Sequence, residues 1–186
     1  MNKQKGFTLI ELLMTLSLFG IVFGFAVPSF TQFIHKASIR SATMTLVHAV
    51  AIARESAVVG GRPISICPTE DGRICTKKWQ QRFMIYEDLN GNSVQDEDET
   101  KVVAFMDVGN KWRIDWRAFG GKSHITFTPE GYTRHQNGSF KICSTQDVEL
   151  GRLVIVNKPG RARVGPDSDR DGYSEKYNGE NMQCLN

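Results

Sequence analysis

The chain begins with a short basic segment that is followed by a long apolar run. Residues 1–5 contain two lysines, and residues 7–27 are predominantly apolar. At about 1.5 Å per residue, a helix of this length crosses most of the hydrocarbon core of a bilayer. The pattern therefore predicts an N-terminal membrane-spanning helix.

A single carboxylate, Glu11, lies just inside the start of the apolar run. A charge within a membrane-spanning helix costs roughly 2.5 kcal/mol or more on insertion scales, so it is retained where it has a partner or a function. Secretory signal peptides and plain anchors also begin with basic residues, but neither class accounts for Glu11, and no A-x-A site closes the run. We expect Glu11 to pair with a cation on another molecule.

The helical pattern continues beyond the apolar run and ends at Gly60-Gly61. Pro28 predicts a bend or a local interruption, because proline removes one backbone hydrogen bond. Apolar residues at steps of three and four predict the face that packs on the globular part. They are Phe30, Phe33, Ala37, Met44, Val47, Ala51 and Val58.

After Gly61, short runs rich in Ile, Val, Phe and Trp alternate with turn residues, as is typical of β-strands. Seven strands are predicted, with the sequences PISIC, RFMIY, KVVAFM, WRIDW, HITFT, SFKIC and RLVIV. Asn137-Gly138 predicts a hairpin before SFKIC, because both central residues of a type I′ turn take positive φ. The globular part is therefore predicted to be mostly β.

All four cysteines follow the apolar segment, where membrane topology places them in an oxidising compartment, and disulfides are the expected state. Three pairings are possible. The short spacing favours Cys67 with Cys75, which leaves Cys143 for Cys184. A zinc site is the alternative, but the chain lacks paired C-x-x-C motifs and histidines at finger spacing.

The net charge and the lack of catalytic motifs limit the classes of function that the sequence supports. The net charge is only +3, so any polyanion binding must depend on a local cluster of cations. The sequence contains no G-x-S-x-G elbow, no phosphate loop and no H-E-x-x-H motif. The chain is therefore predicted not to be an enzyme and to have no small-molecule substrate.

The segment GFTLIELL resembles the processing and assembly signature of type IV pilins and of the pseudopilins of type II secretion. The resemblance implies that prepilin peptidase cuts between Gly6 and Phe7 and that Phe7 becomes the methylated N-terminus. Glu11 is then the fifth residue of the mature chain and pairs with the terminal amine of a neighbouring subunit.

The rest of the chain resembles the FimT, FimU and GspH group of minor pilins and pseudopilins. The resemblance is carried by GRPISIC, a short cysteine loop, Trp79, FMIYEDLNGN and RLVIVNKPGRARVG. It implies an α+β, type IV pilin-like fold, in which a long N-terminal helix packs on a β-rich head with two antiparallel sheets. The expected boundaries are a leader at 1–6, the pilin helix at 7–60 with 7–30 transmembrane, and the head at 61–186.

Basic residues cluster in NKPGRARVG, after the RLVIV run. Arg161 and Arg163 alternate, so in an extended segment both point the same way and can bind neighbouring phosphates. In DNA-uptake members that this chain resembles, a G-R-x-R motif contacts DNA, and Gly160, Arg161 and Arg163 match it, with Lys158 beside them. The alternative is an edge strand whose charges prevent aggregation. Arg134, Lys141 and Arg152 are expected to extend the cluster.

Two acidic segments are candidate metal sites. Asp167, Asp169 and Asp171 precede a glycine at the spacing of the first half of an EF-hand loop, which makes calcium a candidate ligand, with an acidic surface loop as the alternative. In the segment 88–99, Ser93 occupies the position where the motif has glycine, so a turn is expected there instead of a metal. No other cofactor is predicted.

The resemblance implies a minor pilin that acts in pilus assembly and binds double-stranded DNA during natural transformation. A type II secretion pseudopilin and a purely structural assembly subunit are the alternatives. The expected partners are other pilins, prepilin peptidase, the inner membrane and DNA. The expected location is the inner membrane with a periplasmic head, and then the pilus fibre or its tip.

Overall fold

A computed structural model of the chain describes residues 6–79, 82–92, 94–145, 151–176 and 178–184, without the side chains of residues 28 and 104–106. Residues 1–5, which form most of the predicted leader at 1–6, lie outside this range. The chain divides into two compact units, Met1–Ser38 and Ile39–Asn186. Helix α1, Leu9–Gly60, contributes its first part to the first unit and its remainder to the second.

The first unit consists of the beginning of α1. Thr8 precedes the helix, and its Oγ1 accepts a hydrogen bond from the Glu11 backbone N–H at 3.3 Å. The helix is assigned without a break across position 28, so the predicted local interruption is absent. By length and composition α1 can cross a membrane, with a window mean hydropathy of 2.2 and none of that window buried.

In the second unit, one face of α1 forms part of the core. Its buried residues are Ile39, Ala42, Thr43, Leu46, Ala49, Val50, Ala53 and Ala57. The predicted packing face is only partly right for this part of the helix: Val47 packs against the core, but Met44, Ala51 and Val58 are exposed. The buried face contains four alanines beside larger apolar residues, so side-chain size alone does not identify it.

Eight strands follow the helix and form two four-stranded antiparallel sheets. They are β1 Ile64–Pro68, β2 Arg82–Glu87, β3 Lys101–Asp107, β4 Trp112–Ala118, β5 Ile125–Phe127, β6 Gly138–Ser144, β7 Gly151–Val156 and β8 Ala162–Val164. The first sheet has the order β3-β2-β1-β5 and the second β4-β6-β7-β8. The seven predicted strands and the two antiparallel sheets are confirmed, and β8 is an additional edge strand.

Aromatic residues pack in the core beside the second sheet. Trp79 lies edge-on to Phe140, with ring centroids 4.7 Å apart, and Phe140 lies 4.3 Å from Trp116. Trp79 is 6% exposed, and its indole Nε1 donates a hydrogen bond to the Ser123 carbonyl oxygen at 2.6 Å. Burying Trp79 with its indole N–H satisfied stabilises this core, whereas the Trp116 Nε1 is buried without a hydrogen-bond partner among the described residues.

The predicted hairpin turn at Asn137-Gly138 is wrong. Gly138 is the first residue of β6 and pairs with Ala118 and Val156. Its φ is not positive, and the left-handed residue nearby is His135, at +60°. A Cβ at Gly138 would collide with the Arg117 carbonyl oxygen, so glycine is required there by close strand packing rather than by a turn.

Both predicted disulfides are present, Cys67–Cys75 and Cys143–Cys184. The first closes a short loop after β1. The second joins β6 to the C-terminal segment, and Cys143 and Cys184 are both fully buried. The C-terminal segment, which contains little regular structure, is therefore held against the second sheet.

Candidate nucleic-acid interface

The turn between β7 and β8 carries the predicted DNA-binding residues. The Gly160 backbone N–H donates to the Asn157 carbonyl oxygen at 2.9 Å, and the Arg161 N–H donates to Asn157 Oδ1 at 2.8 Å. The Lys158 carbonyl oxygen accepts a bond from the Thr133 N–H at 2.9 Å. These bonds hold the turn in one shape, so its side chains leave from a fixed backbone.

Gly160 is required by the packing of this turn. Its φ is +74°, a left-handed conformation that other residues adopt at a cost, and it is buried. A Cβ there would collide with the Gly131 carbonyl oxygen and lie 3.2 Å from the Phe127 ring. The glycine of the G-R-x-R motif therefore shapes the turn, and a contact with DNA is not needed to explain it.

Arg54 of α1 forms hydrogen bonds with the backbone of the same turn. Its guanidinium Nε donates to the carbonyl oxygens of Gly131 and Pro159, each at 3.2 Å. One side chain thus joins the helix to two loops that have no direct connection in sequence. No local signal in the sequence identifies this role of Arg54.

The three cations of the cluster are accessible. Lys158, Arg161 and Arg163 are exposed, and within the described ranges none forms an ion pair with a carboxylate. Arg163 belongs to β8, which pairs only with β7 and forms an edge of the second sheet. The arrangement is able to bind several phosphates, and it is equally able to keep an exposed edge from aggregating.

The three cations expected to extend the cluster have different environments. Arg152 forms a largely buried ion pair with Asp167, so it is not available to a ligand. Arg134 is exposed on the segment after β5. Lys141 lies on β6, where burial lowers the pKa of its ammonium group. The Asp115 carboxylate raises this pKa, and the positive charges of Arg117, Arg113 and Lys176 lower it further.

The acidic C-terminal segment begins just after β8. One carboxylate oxygen from each of Asp167, Asp169 and Asp171 lies within 4.8 Å of the other two, and these oxygens could act as metal ligands. Asp169 Oδ1 accepts the Asp171 N–H at 3.0 Å, and Asp171 Oδ1 accepts the Tyr173 N–H at 2.8 Å. The Arg152 guanidinium beside Asp167 already supplies a positive charge to this cluster. Calcium binding by the three carboxylates stays a prediction.

The second acidic segment is held by its own hydrogen bonds. Asp96 Oδ2 accepts bonds from the side-chain amides of Asn90 and Asn92 at 2.8 and 2.9 Å. The Glu99 carboxylate accepts the Leu89 N–H at 2.7 Å. Gly91 has φ of +72°. These contacts form a structured turn from the polar side chains, as expected from the sequence, although Ser93 lies outside the described residues.

Glu11 has a local role that sequence reasoning missed. Thr8 and Glu11 have the T-x-x-E spacing of a capping box, in which a threonine before the helix and a glutamate at its third position satisfy free backbone donors. The threonine half of this motif is formed, since Thr8 Oγ1 accepts the Glu11 N–H. A carboxylate at this position is also favoured by the helix dipole. The bond that is formed uses the backbone N–H of residue 11, so it does not by itself require a carboxylate there.

Comparisons with known proteins agree with this fold. A sequence model of the family described as Type II transport protein GspH matches residues 42–160, and a model of the prokaryotic N-terminal methylation motif matches residues 1–27. The first match covers more than half of the chain and shows its family. The family consists of structural subunits, in agreement with the prediction that the chain is not an enzyme.

Solved structures show the same fold. Two crystal forms of the type IV minor pilin FimU of Pseudomonas aeruginosa are similar, with TM-scores of 0.52 and 0.53 and identities of 24% and 22%. They cover 68% and 72% of this chain and 92% of FimU. The minor pseudopilin EpsH from the type 2 secretion system of Vibrio cholerae has a TM-score of 0.50 and 12% identity, covering 68% of this chain and 95% of EpsH.

The methylation motif, the long apolar helix and the two-sheet head together match the pilin architecture. The chain belongs to the family of type II transport protein GspH, carries the prokaryotic N-terminal methylation motif, and has the fold of the minor pilin FimU and the minor pseudopilin EpsH.

Proposed function

We propose that this protein is a minor pilin of the type IV pilus machinery, which acts in pilus assembly and binds double-stranded DNA non-specifically for uptake in natural transformation. The observation that carries the DNA proposal is the cluster of Lys158, Arg161 and Arg163. These cations are exposed, lie on a turn and strand held by several hydrogen bonds, and pair with no carboxylate within the described ranges.

The chemistry of the cluster favours phosphate over base edges. Guanidinium groups bind phosphate oxygens through two parallel hydrogen bonds, and a rigid turn reduces the entropy lost when the side chains bind. Contacts of this kind orient a duplex without reading its sequence. Binding is therefore expected to be independent of sequence and to weaken steeply with salt.

The experiment is a titration of fluorescent duplex DNA with the full chain in neutral detergent, followed by anisotropy at two salt concentrations. The variant Arg161→Ala/Arg163→Ala is compared with Arg40→Ala/Lys101→Ala, which removes two other exposed cations. We expect only the first variant to lose affinity. Wild-type protein that does not bind duplex would refute the DNA proposal.

The same arginines serve a different purpose if they only protect the edge strand β8. In that case Arg161→Ala/Arg163→Ala binds DNA like wild type and forms larger particles in solution, because the unpaired edge pairs with other chains. Light scattering of the same samples separates this outcome from loss of DNA binding.

We propose that Glu11 acts in assembly by pairing with the terminal amine of a neighbouring subunit, after cleavage between Gly6 and Phe7 and methylation of Phe7. The variant Glu11→Gln separates this role from helix capping, because glutamine also completes a capping box but carries no charge. We expect it to be processed normally and to enter fibres poorly. Normal incorporation of this variant would refute the pairing, and mass spectrometry of the mature N-terminus tests the cleavage and the methyl group.

A pseudopilin of type II secretion is the second candidate, favoured by the match to the GspH family and by the fold of EpsH. The two candidates differ in the phenotype of a deletion strain. A pilus subunit is needed for twitching and DNA uptake, whereas a pseudopilin is needed for release of exoproteins. In both cases we propose an inner-membrane anchor and a periplasmic head before assembly, where two disulfides are stable.

A further inference from the structure

Strand register places a second arginine on the same face of the sheet as Arg163. Arg163 pairs with Ile155, Ile155 with Ser139, and Ser139 with Arg117. Directly paired residues of an antiparallel sheet point to the same side. The four residues therefore form one row across all four strands, which we call the outer row.

The outer row faces away from the core. The neighbouring row contains Trp116, Phe140, Val154 and Val164, and its members Phe140 and Val154 are fully buried. In the outer row, Arg117 and Arg163 are exposed and Ser139 and Ile155 are half-buried. An accessible strip thus has an arginine at each end.

A basic cleft lies at the Arg117 end of this strip. The cleft has a volume of about 690 Å³ and is lined by Lys77, Arg117 and Lys122 together with Trp79, Trp116 and His124. No aspartate or glutamate is among its described lining residues. Lys77, Arg117 and Lys122 are all exposed, so the opening has three accessible cations and no carboxylate among the described residues that line it.

The acidic C-terminal segment covers part of the outer face of the same sheet, near Cys143 on β6. Cys143 pairs with Arg113 and Gly151, which places it on the outer face, and it is fully buried beneath its disulfide partner Cys184. A Cβ at Gly151 would collide with Cys184 Sγ. The segment extends from Cys143 to Ser174, whose Oγ accepts the Leu153 N–H at 3.0 Å, and Leu153 lies two positions along β7 from Ile155 of the outer row. Arg117 and Arg163 of the outer row are still exposed.

The spacing of the outer row suits a duplex. Adjacent strands are about 4.8 Å apart, so three strand spacings separate Arg117 and Arg163 by about 14 Å at the backbone. That distance corresponds to about four base pairs of B-DNA, at about 3.4 Å for each. Ser139 and Ile155, which lie between the two arginines, are half-buried and uncharged, so no carboxylate of this row opposes a phosphate backbone.

We propose that Arg117, Lys122 and Lys77 form a second phosphate-binding patch, and that one duplex lies across the outer row between this patch and the turn bearing Lys158, Arg161 and Arg163. The inference rests on the proposed DNA binding and adds the second half of the site. It also gives the orientation of the duplex, which runs across the strands of the second sheet.

The experiment measures the slope of log affinity against log salt for duplex DNA, using the full chain in neutral detergent. Each lost phosphate contact is expected to reduce the slope by about 0.9 for B-DNA. Arg117→Gln/Lys122→Gln is expected to weaken binding and to reduce the slope by up to about 1.8. Arg117→Lys/Lys122→Arg keeps both charges and is expected to keep most of the slope.

The outcomes separate this inference from the proposed function. If Arg117→Gln/Lys122→Gln retains the wild-type affinity and slope while Arg161→Ala/Arg163→Ala loses both, the second patch is wrong and the first stands. If wild-type protein binds no duplex, both proposals fail, and the basic cleft is then better explained by an acidic protein partner. Thermal melting of each variant shows whether the fold is retained, and the charge-conserving variant provides the comparison if the glutamine variant is unstable.

Discussion

Arg152 and Asp167 form an ion pair, with 3.3 Å between the guanidinium Nη2 and the carboxylate Oδ2. Their side chains are only 13% and 19% exposed. The pair holds the first aspartate of the acidic segment against β7, so this carboxylate does not neutralise Arg161 or Arg163. The ion pair therefore removes one of the three aspartates of the cluster as a partner for the cations of the turn.

Removing one partner of this ion pair is expected to destabilise the protein. Asp167→Ala leaves the Arg152 charge largely buried and unpaired, which should lower the free energy of unfolding by about 1–3 kcal/mol. Lys176→Ala breaks an ion pair with Glu180 whose side chains are 42% and 68% exposed, and should cost less than about 1 kcal/mol. Urea unfolding measures both values, and equal losses would contradict the role assigned to burial.

Gly160→Ala should destabilise the turn for two reasons. A positive φ costs a non-glycine residue roughly 1–2 kcal/mol, and the collision with the Gly131 carbonyl oxygen adds a packing cost of about 1–3 kcal/mol. Gly61→Ala is the matched control, because its φ is +61° and a Cβ there meets open space. The difference between their melting temperatures reports the packing cost alone, and a difference of zero would refute it.

Removal of the disulfides should follow the order of their loop lengths. Cys143–Cys184 spans a sequence separation of 41 residues and Cys67–Cys75 one of 8. The chain-entropy model gives stabilisation of about 4 and about 2.6 kcal/mol respectively. Unfolding of Cys143→Ser/Cys184→Ser and Cys67→Ser/Cys75→Ser by denaturant tests this order, and a larger loss from the shorter loop would show that packing dominates.

Stability should fall in mild acid because of His124. Burial lowers the pKa of His124, with Lys122 adding to this effect and Asp88 opposing it. The unfolded chain then binds the proton more readily, so the free energy of unfolding decreases as pH falls through the unfolded-state value of about 6.5 and levels off below the native pKa. His124→Asn should flatten this slope below about pH 7. An unchanged slope would assign the titration to another group.

Local patterns predicted much of this protein. The apolar run predicted the start of α1, and alternating runs predicted seven strands, because helix and strand periodicity is present in neighbouring residues. Spacing alone predicted Cys67–Cys75, and the remaining pair followed. The same local reasoning failed at Gly138, where Arg117 on the neighbouring strand lies 21 positions away and its carbonyl oxygen, rather than a turn, requires the glycine.

The sequence by itself therefore determined the start of α1, seven of the eight described strands, the disulfides and the cation-rich motif with Lys158, Arg161 and Arg163. Only the tertiary structure decided which face of α1 is buried, how Arg54 joins the helix to the turn at Pro159, and that Arg117 shares a row with Arg163. The physical reason is that propensity and periodicity act between near neighbours. Strand register and the packing of a helix face are instead set by the summed contacts of residues far apart in the chain.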